Sequence, residues 1–166
     1  SDFLTELQGY YNIAPFTLDS VAHAPGRTLE QLAAYDAALI AKPTETFSEA
    51  EKLVLDQYMV RGGKTLWLVD AVNMEMDSLL SGGGESLALA RDLNLGDLLF
   101  RYGVRINPDL VADLYCAQIV LATGEGRDAQ YNPLPWIYHP MILSRENHPI
   151  NRNPEALLFQ FASSID

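Results

Sequence analysis

The chain has 166 residues, 48% of them hydrophobic and 20% charged, the make-up of one ordinary globular domain with a core of its own. Its 22 acidic and 11 basic residues leave a formal net charge of −11, which argues against nucleic acid as a partner and against docking on anionic lipid through a polybasic face. The single cysteine, Cys116, rules out an internal disulfide and a thiolate metal cluster. No apolar run nears the ~20 residues a membrane span needs, so membrane attachment is expected only through segments outside this fragment.

In chain order, Asp2 to Tyr11 reads as the tail of a helix, with Leu4, Leu7, Tyr10 and Tyr11 at helical spacing. Ile13 to Leu18 reads as a short strand, placed at an edge by Pro15. Pro25-Gly26 is a loop signal, and Thr28 caps a short helix to Tyr35. The apolar run Ala37 to Ala41 reads as a buried parallel strand, ended by Lys42-Pro43-Thr44. Ser48-Glu49-Ala50-Glu51 is a capping box opening a helix whose face carries Leu53, Val54, Tyr58 and Met59, with Gly62-Gly63 as its stop. Thr65 to Val69 is a second buried strand, with Asp70 at its C-terminal end.

Residues 28–70 thus alternate helix, strand, helix, strand, the rhythm of a parallel sheet covered by helices. A doubly wound sheet usually opens on a central strand. The first strand is therefore expected upstream of Ser1, or another segment fills its place. Beyond Asp70 the rhythm changes. Gly82-Gly83-Gly84 reads as a surface loop, and Leu95 to Tyr102 as a short helix closed by Gly103. Val104–Ile106 and Leu110–Tyr115 read as short extended pieces. Ala117–Thr123 and Trp136–Leu143 read as antiparallel or edge strands across a polar loop, Gly124–Pro135, and Leu157–Ala162 has strand character. One α/β domain over residues 1–166 is expected, with a parallel core at about 10–70 and an antiparallel C-terminal extension at about 95–166.

Residues able to carry chemistry are few. An acyl-transfer nucleophile would sit on a turn directly after a buried strand. Here those positions hold Lys42 and Asp70. Cys116 lies between extended segments without a glycine-flanked elbow. His23, His139 and His148 have no metal-ligand spacing, a proline directly follows each of the latter two, and His148-Pro149 reads as a turn. The glycine triplet lacks the lysine of a phosphate loop. No catalytic residue, metal or cofactor is expected. Ligands of open α/β sheets bind beyond the strands' carboxyl ends, so Lys42, Thr44, Asp70, Asn73 and Asp77 are the candidate ligand or partner residues, with Glu75 among the same acidic cluster. Asp70, Asn73 and their neighbours can equally cap backbone turns. Trp136, Tyr138 and Tyr131 suggest a glycan-stacking alternative, and Asp70 or Cys116 a degenerate hydrolase.

Three blocks also carry a likeness. They are Tyr35 to Thr44 (YDAALIAKPT), Phe47 to Lys52 (FSEAEK) and Asp56 to Asp70 (DQYMVRGGKTLWLVD). With Leu93 to Asn107, Asp109 to Val111, His148 to Ile150 and Phe159 to Asp166, they resemble the GldG family of gliding-motility-associated ABC transporter substrate-binding proteins. The resemblance covers most of the chain. It implies a parallel-sheet three-layer sandwich, class I amidotransferase-like or flavodoxin-like. It further implies a periplasmic-facing domain at the inner membrane, a parent protein with membrane helices, and a permease and an ATPase as partners. An extracytoplasmic ligand would be unidentified. The family brings no settled catalytic residues to carry over.

Overall fold

A computed structural model gives the structure of residues 2–81, 85–123, 130–143 and 156–166. Three expected features lie outside the described residues: the Gly82–Gly84 loop, the first half of the Gly124–Pro135 loop and the His148-Pro149 turn. The chain divides into two compact units, Ser1–Ala41 with Phe47–Trp67, and Lys42–Thr46 with Leu68–Asp166.

The first unit holds α1 (Asp2–Gln8), α2 (Pro25–Leu32), β1 (Ala37–Ala41), α3 (Glu49–Val60) and most of β2 (Lys64–Leu68). Helix α2 starts three residues earlier than expected. Pro25 takes its first position, where a missing N–H costs nothing, so Pro25-Gly26 opens a helix instead of a loop. Thr28 is therefore not a cap. It is buried inside the helix, and its hydroxyl donates back to the Ala24 carbonyl at 3.1 Å. Ile13–Leu18 forms no strand. Phe16 and Leu18 are instead anchors of an irregular segment packed on the core.

Helix α3 follows its sequence signature. The Ser48 hydroxyl accepts from the Glu51 N–H, and the Glu51 carboxylate accepts from the Ser48 N–H at 2.7 Å. At the other end Gly62, at φ +95°, donates to Met59 O and Gly63 donates to Tyr58 O, a Schellman closure. The buried face is Lys52, Val54, Leu55 and Tyr58, whereas Leu53 is 55% exposed, one position off the expected stripe. Val54, Leu55 and Tyr58 meet Val21, Leu29 and Leu32 to form the core, with Ala38 and Trp67 packed against it from β1 and β2.

Strands β1 and β2 pair with each other, and Lys42 N–H donates to Leu68 O at 2.7 Å where both strands end, so they run parallel. Burial alternates along both strands, with Ala38, Ile40, Thr65 and Trp67 on the more covered face. Leu39 and Leu66 on the opposite face are exposed. The expectation of two-sided burial is therefore not met among the described residues.

The second unit contains β3 (Val72–Asn73), α4 (Met76–Ser81), β4 (Leu89–Ala90), α5 (Gly96–Arg101), β5 (Cys116–Thr123), β6 (Gln130–Ile142) and β7 (Leu157–Leu158). The pair β3–β4 is antiparallel, and β5–β6–β7 form an antiparallel three-stranded sheet. Strand β6 begins at Gln130, so the second half of the expected polar loop is strand. Leu110–Tyr115 is not a strand, although Val111 N–H donates to Ala162 O and Asp113 N–H to Ile137 O. The last apolar run shortens to Leu157–Leu158, and Ile106 forms an isolated bridge with Ile165. Gly103, at φ +76°, closes α5 as expected.

Candidate functional site

The candidate site lies within the second unit, just beyond the end of β1. Lys42 is its centre. Its backbone is left-handed, φ +48°, and it directly precedes Pro43. A side chain at positive φ and the ring of a following proline both disfavour this conformation. Such strain persists only where the surroundings over-determine it, and it clusters at functional positions.

The Lys42 ammonium donates to the Glu75 carboxylate at 2.8 Å and lies 3.9 Å from Asp70. The hydrogen bond it donates to Glu75 raises the pKa of the Lys42 ammonium above its ordinary 10.5, and the same bond pulls Glu75 below 4.5. Arg91 belongs to the same charge field. Its guanidinium donates to the Asn73 amide oxygen at 2.9 Å, and its backbone N–H donates to Ala71 O. The Nε of Arg91 is buried without a partner. Pairing of β3 with β4 sets Val72 opposite Ala90 and Asn73 opposite Leu89, which delivers Arg91 to the cluster. Nearby, the Thr46 hydroxyl donates to Asp92 O at 2.7 Å, and Asn94 N–H donates to the Asp92 carboxylate.

Of the five residues expected from sequence, Lys42, Asp70 and Asn73 therefore share one cluster. Thr44 is exposed on the connection from β1 to α3. Asp77 is exposed in the first turn of α4 and does not act on the Lys42 ammonium as Asp70 and Glu75 do. Arg91 was not anticipated. It lies 18 residues beyond Asn73, and only the β3–β4 pairing joins them. The arrangement is a set of exposed, mutually compensated charges around a strained backbone. It can recognise a charged or hydrogen-bonding group, but it offers no activated nucleophile.

Cys116 is half-buried and lies opposite Pro140 across the β5–β6 ladder. His139, one residue before Pro140, falls on the other face by strand alternation. Its ring is buried at 4% exposure in a T-shaped contact with Phe161, and its Nε2 has no partner. Burial pushes the imidazole below its ordinary 6.5. Among the described residues, thiol and imidazole make no hydrogen bond, so Cys116 lacks the base a nucleophile needs. Trp136 is half-buried and meets Tyr138 in a T-shaped contact, and its indole N–H is buried and unpartnered. Among the described residues, no group of three His, Cys, Asp or Glu side chains is placed to hold a metal ion. Nor is any helix among them long and apolar enough to cross a membrane.

The first unit has a polar cleft of its own, lined by Tyr35, Asp36, Tyr58, Arg61 and Lys64. Burial, then the charge of Asp36, pushes the Tyr58 phenol above its ordinary 10.0. Its hydroxyl donates to Tyr35 O at 3.0 Å.

No curated protein and no solved structure matches the chain. A family model does match it, over residues 1–166, and its description is an ABC-type uncharacterized transport system. Spanning the first unit, the second unit and the Lys42 cluster alike, that match places the chain in the auxiliary family of ABC-type transport systems.

Proposed function

We propose that this chain is a non-catalytic, extracytoplasmic binding or scaffold domain of an ABC transporter complex, of the kind associated with gliding motility. It works at the periplasmic side of the inner membrane beside the complex's permease and ATPase. The parallel pair β1–β2, with α2 and α3 packed on one face, belongs in this reading to a larger three-layer sandwich of the amidotransferase-like or flavodoxin-like kind.

One observation carries the proposal. Where an enzyme on such a scaffold would hold a nucleophile and its base, this chain holds the Lys42–Glu75–Asp70 ion cluster. Membership of an ABC-transport family supplies the context. The test is co-purification of permease and ATPase with the full-length protein extracted from membranes. Both are expected to accompany the wild type, and recovery should fall several-fold with Lys42→Glu. Unchanged recovery would remove the cluster from the contact. Amide or ester hydrolysis by the purified protein, abolished by Cys116→Ser, would replace the reading with an enzymatic one.

A further inference from the structure

Strand β5 is the edge of its sheet. The order is β5–β6–β7, and among the described residues nothing pairs with the other side of β5. Its sequence, Cys116-Ala-Gln-Ile-Val-Leu-Ala-Thr123, has no charge and no proline in a chain with 33 acidic and basic side chains. A long uncharged edge without proline is what soluble proteins ordinarily avoid, because it invites another strand. The neighbouring strand is built the other way. β6 carries Pro133 and Pro135 at alternate positions, opposite Val120 and Gln118. Its residues 130–135 are all exposed, with Tyr131 at 70%, and Val120 across the ladder is 62% exposed. Val120 and residues 130–135 are therefore on the solvent side of the sheet.

The prolines decide which backbone groups point outward. Proline has no N–H to give, so the pairs Val120↔Pro133 and Gln118↔Pro135 suit the positions where neither residue bonds across the ladder. At such positions the N–H and C=O of both strands point away from each other. On the β6 side Pro133 and Pro135 then leave two successive outward positions without a donor. On the β5 side Gln118, Val120 and Ala122 present intact N–H and C=O groups along an open edge.

We propose that this edge of β5 is a strand-pairing surface for a second copy of this chain, antiparallel, with the two-fold axis at Val120. Only a register with residues of like parity opposite each other uses the outward groups. Centred on Val120, it sets Val120 opposite Val120 and Gln118 opposite Ala122, joining six backbone hydrogen bonds in a self-complementary interface. Ile119 then stands opposite Leu121. A neutral strip is also the surface on which two molecules of net charge −11 approach with least repulsion. A partner of opposite charge would instead be met by acidic residues along the edge, and β5 has none.

Sedimentation of residues 1–166 over a concentration series tests this, with backbone fold followed by circular dichroism. The wild type is expected to reach twice the 18.4 kDa mass of one chain. Val120→Pro deletes the central outward donors and Val120→Lys sets two like charges opposite each other. Each should weaken association at least roughly tenfold. Val120→Thr, equally suited to a strand, should leave it intact. In a Cys116→Ser background, Val120→Cys should form a disulfide between copies on oxidation, while Ala117→Cys should not. A wild type that stays monomeric throughout would overturn the proposal, as would dimers unaffected by both Val120→Pro and Val120→Lys. Neither result bears on capture of the permease and ATPase through Lys42.

Discussion

At the scale of single residues, two positions in the first half of the chain are under steric constraint of opposite kinds. Gly63 is constrained by space. A Cβ placed there would lie 2.4–2.5 Å from ring atoms of Tyr58, whose hydroxyl is tied to Tyr35 O and whose ring is in the core. Gly63→Ala should therefore destabilise by about 1–3 kcal/mol through overpacking. Combined with Tyr58→Leu, the loss in chemical denaturation should be less than the sum of the two singles, since both act on one contact. Lys42 is constrained by its backbone, at φ +48° before Pro43. Glycine accepts that conformation freely. Lys42→Gly should be more stable than Lys42→Ala by about 1 kcal/mol, while both lose the ion pair with Glu75. Equal thermal midpoints for the two variants would mean that position 42 carries no strain.

Elements were legible where a local signal decided them. The capping box at Ser48 and the glycines after Val60 mark both ends of α3, and the structure realises each bond. Removing the first of these, Ser48→Ala, should cost about 1 kcal/mol, measured as a lower urea midpoint at unchanged slope. Gly103 marked the end of α5 in the same way. Signals were misread where one residue type serves two purposes. Pro25 looks like a loop former but suits the first turn of a helix, and Thr28 looks like a cap but bonds back to Ala24. Residues 130–135 were read as part of a polar loop, yet the alternate spacing of Pro133 and Pro135 lets both sit in β6 without breaking its ladder. The site was legible by the same division. Strand tips named Lys42 and Asp70, and the polar run after them named Asn73. Arg91 depends on the two-residue pairing of β3 with β4, which leaves no periodicity to read.

At the scale of the whole molecule, stability should depend on pH in separable windows. Burial holds the folded pKa of His139 below the ordinary 6.5. Between those two values the unfolded chain binds a proton that the native one refuses, and stability falls as pH falls. One proton limits the slope to about 1.4 kcal/mol per pH unit. Glu75 and Asp109 act in the same direction at lower pH. Lys42 holds the former below 4.5, and the Ser164 hydroxyl and backbone N–H hold the latter below 3.8, so what they contribute is lost only as pH drops through their depressed values. Lys42 acts at the alkaline end, where its contribution disappears as pH rises through a pKa raised above 10.5. The acid side should therefore show a first loss beginning near pH 6.5 and a later one below about 4.5. His139→Leu separates them. It removes a buried nitrogen without a partner, which should cost little at pH 7.5, and it should flatten the denaturation midpoint from pH 6.5 down to 5 while leaving the later loss in place. If the wild-type midpoint is already flat across that first window, the imidazole is charged in the folded protein, and the packing of His139 on Phe161 includes a partner for it.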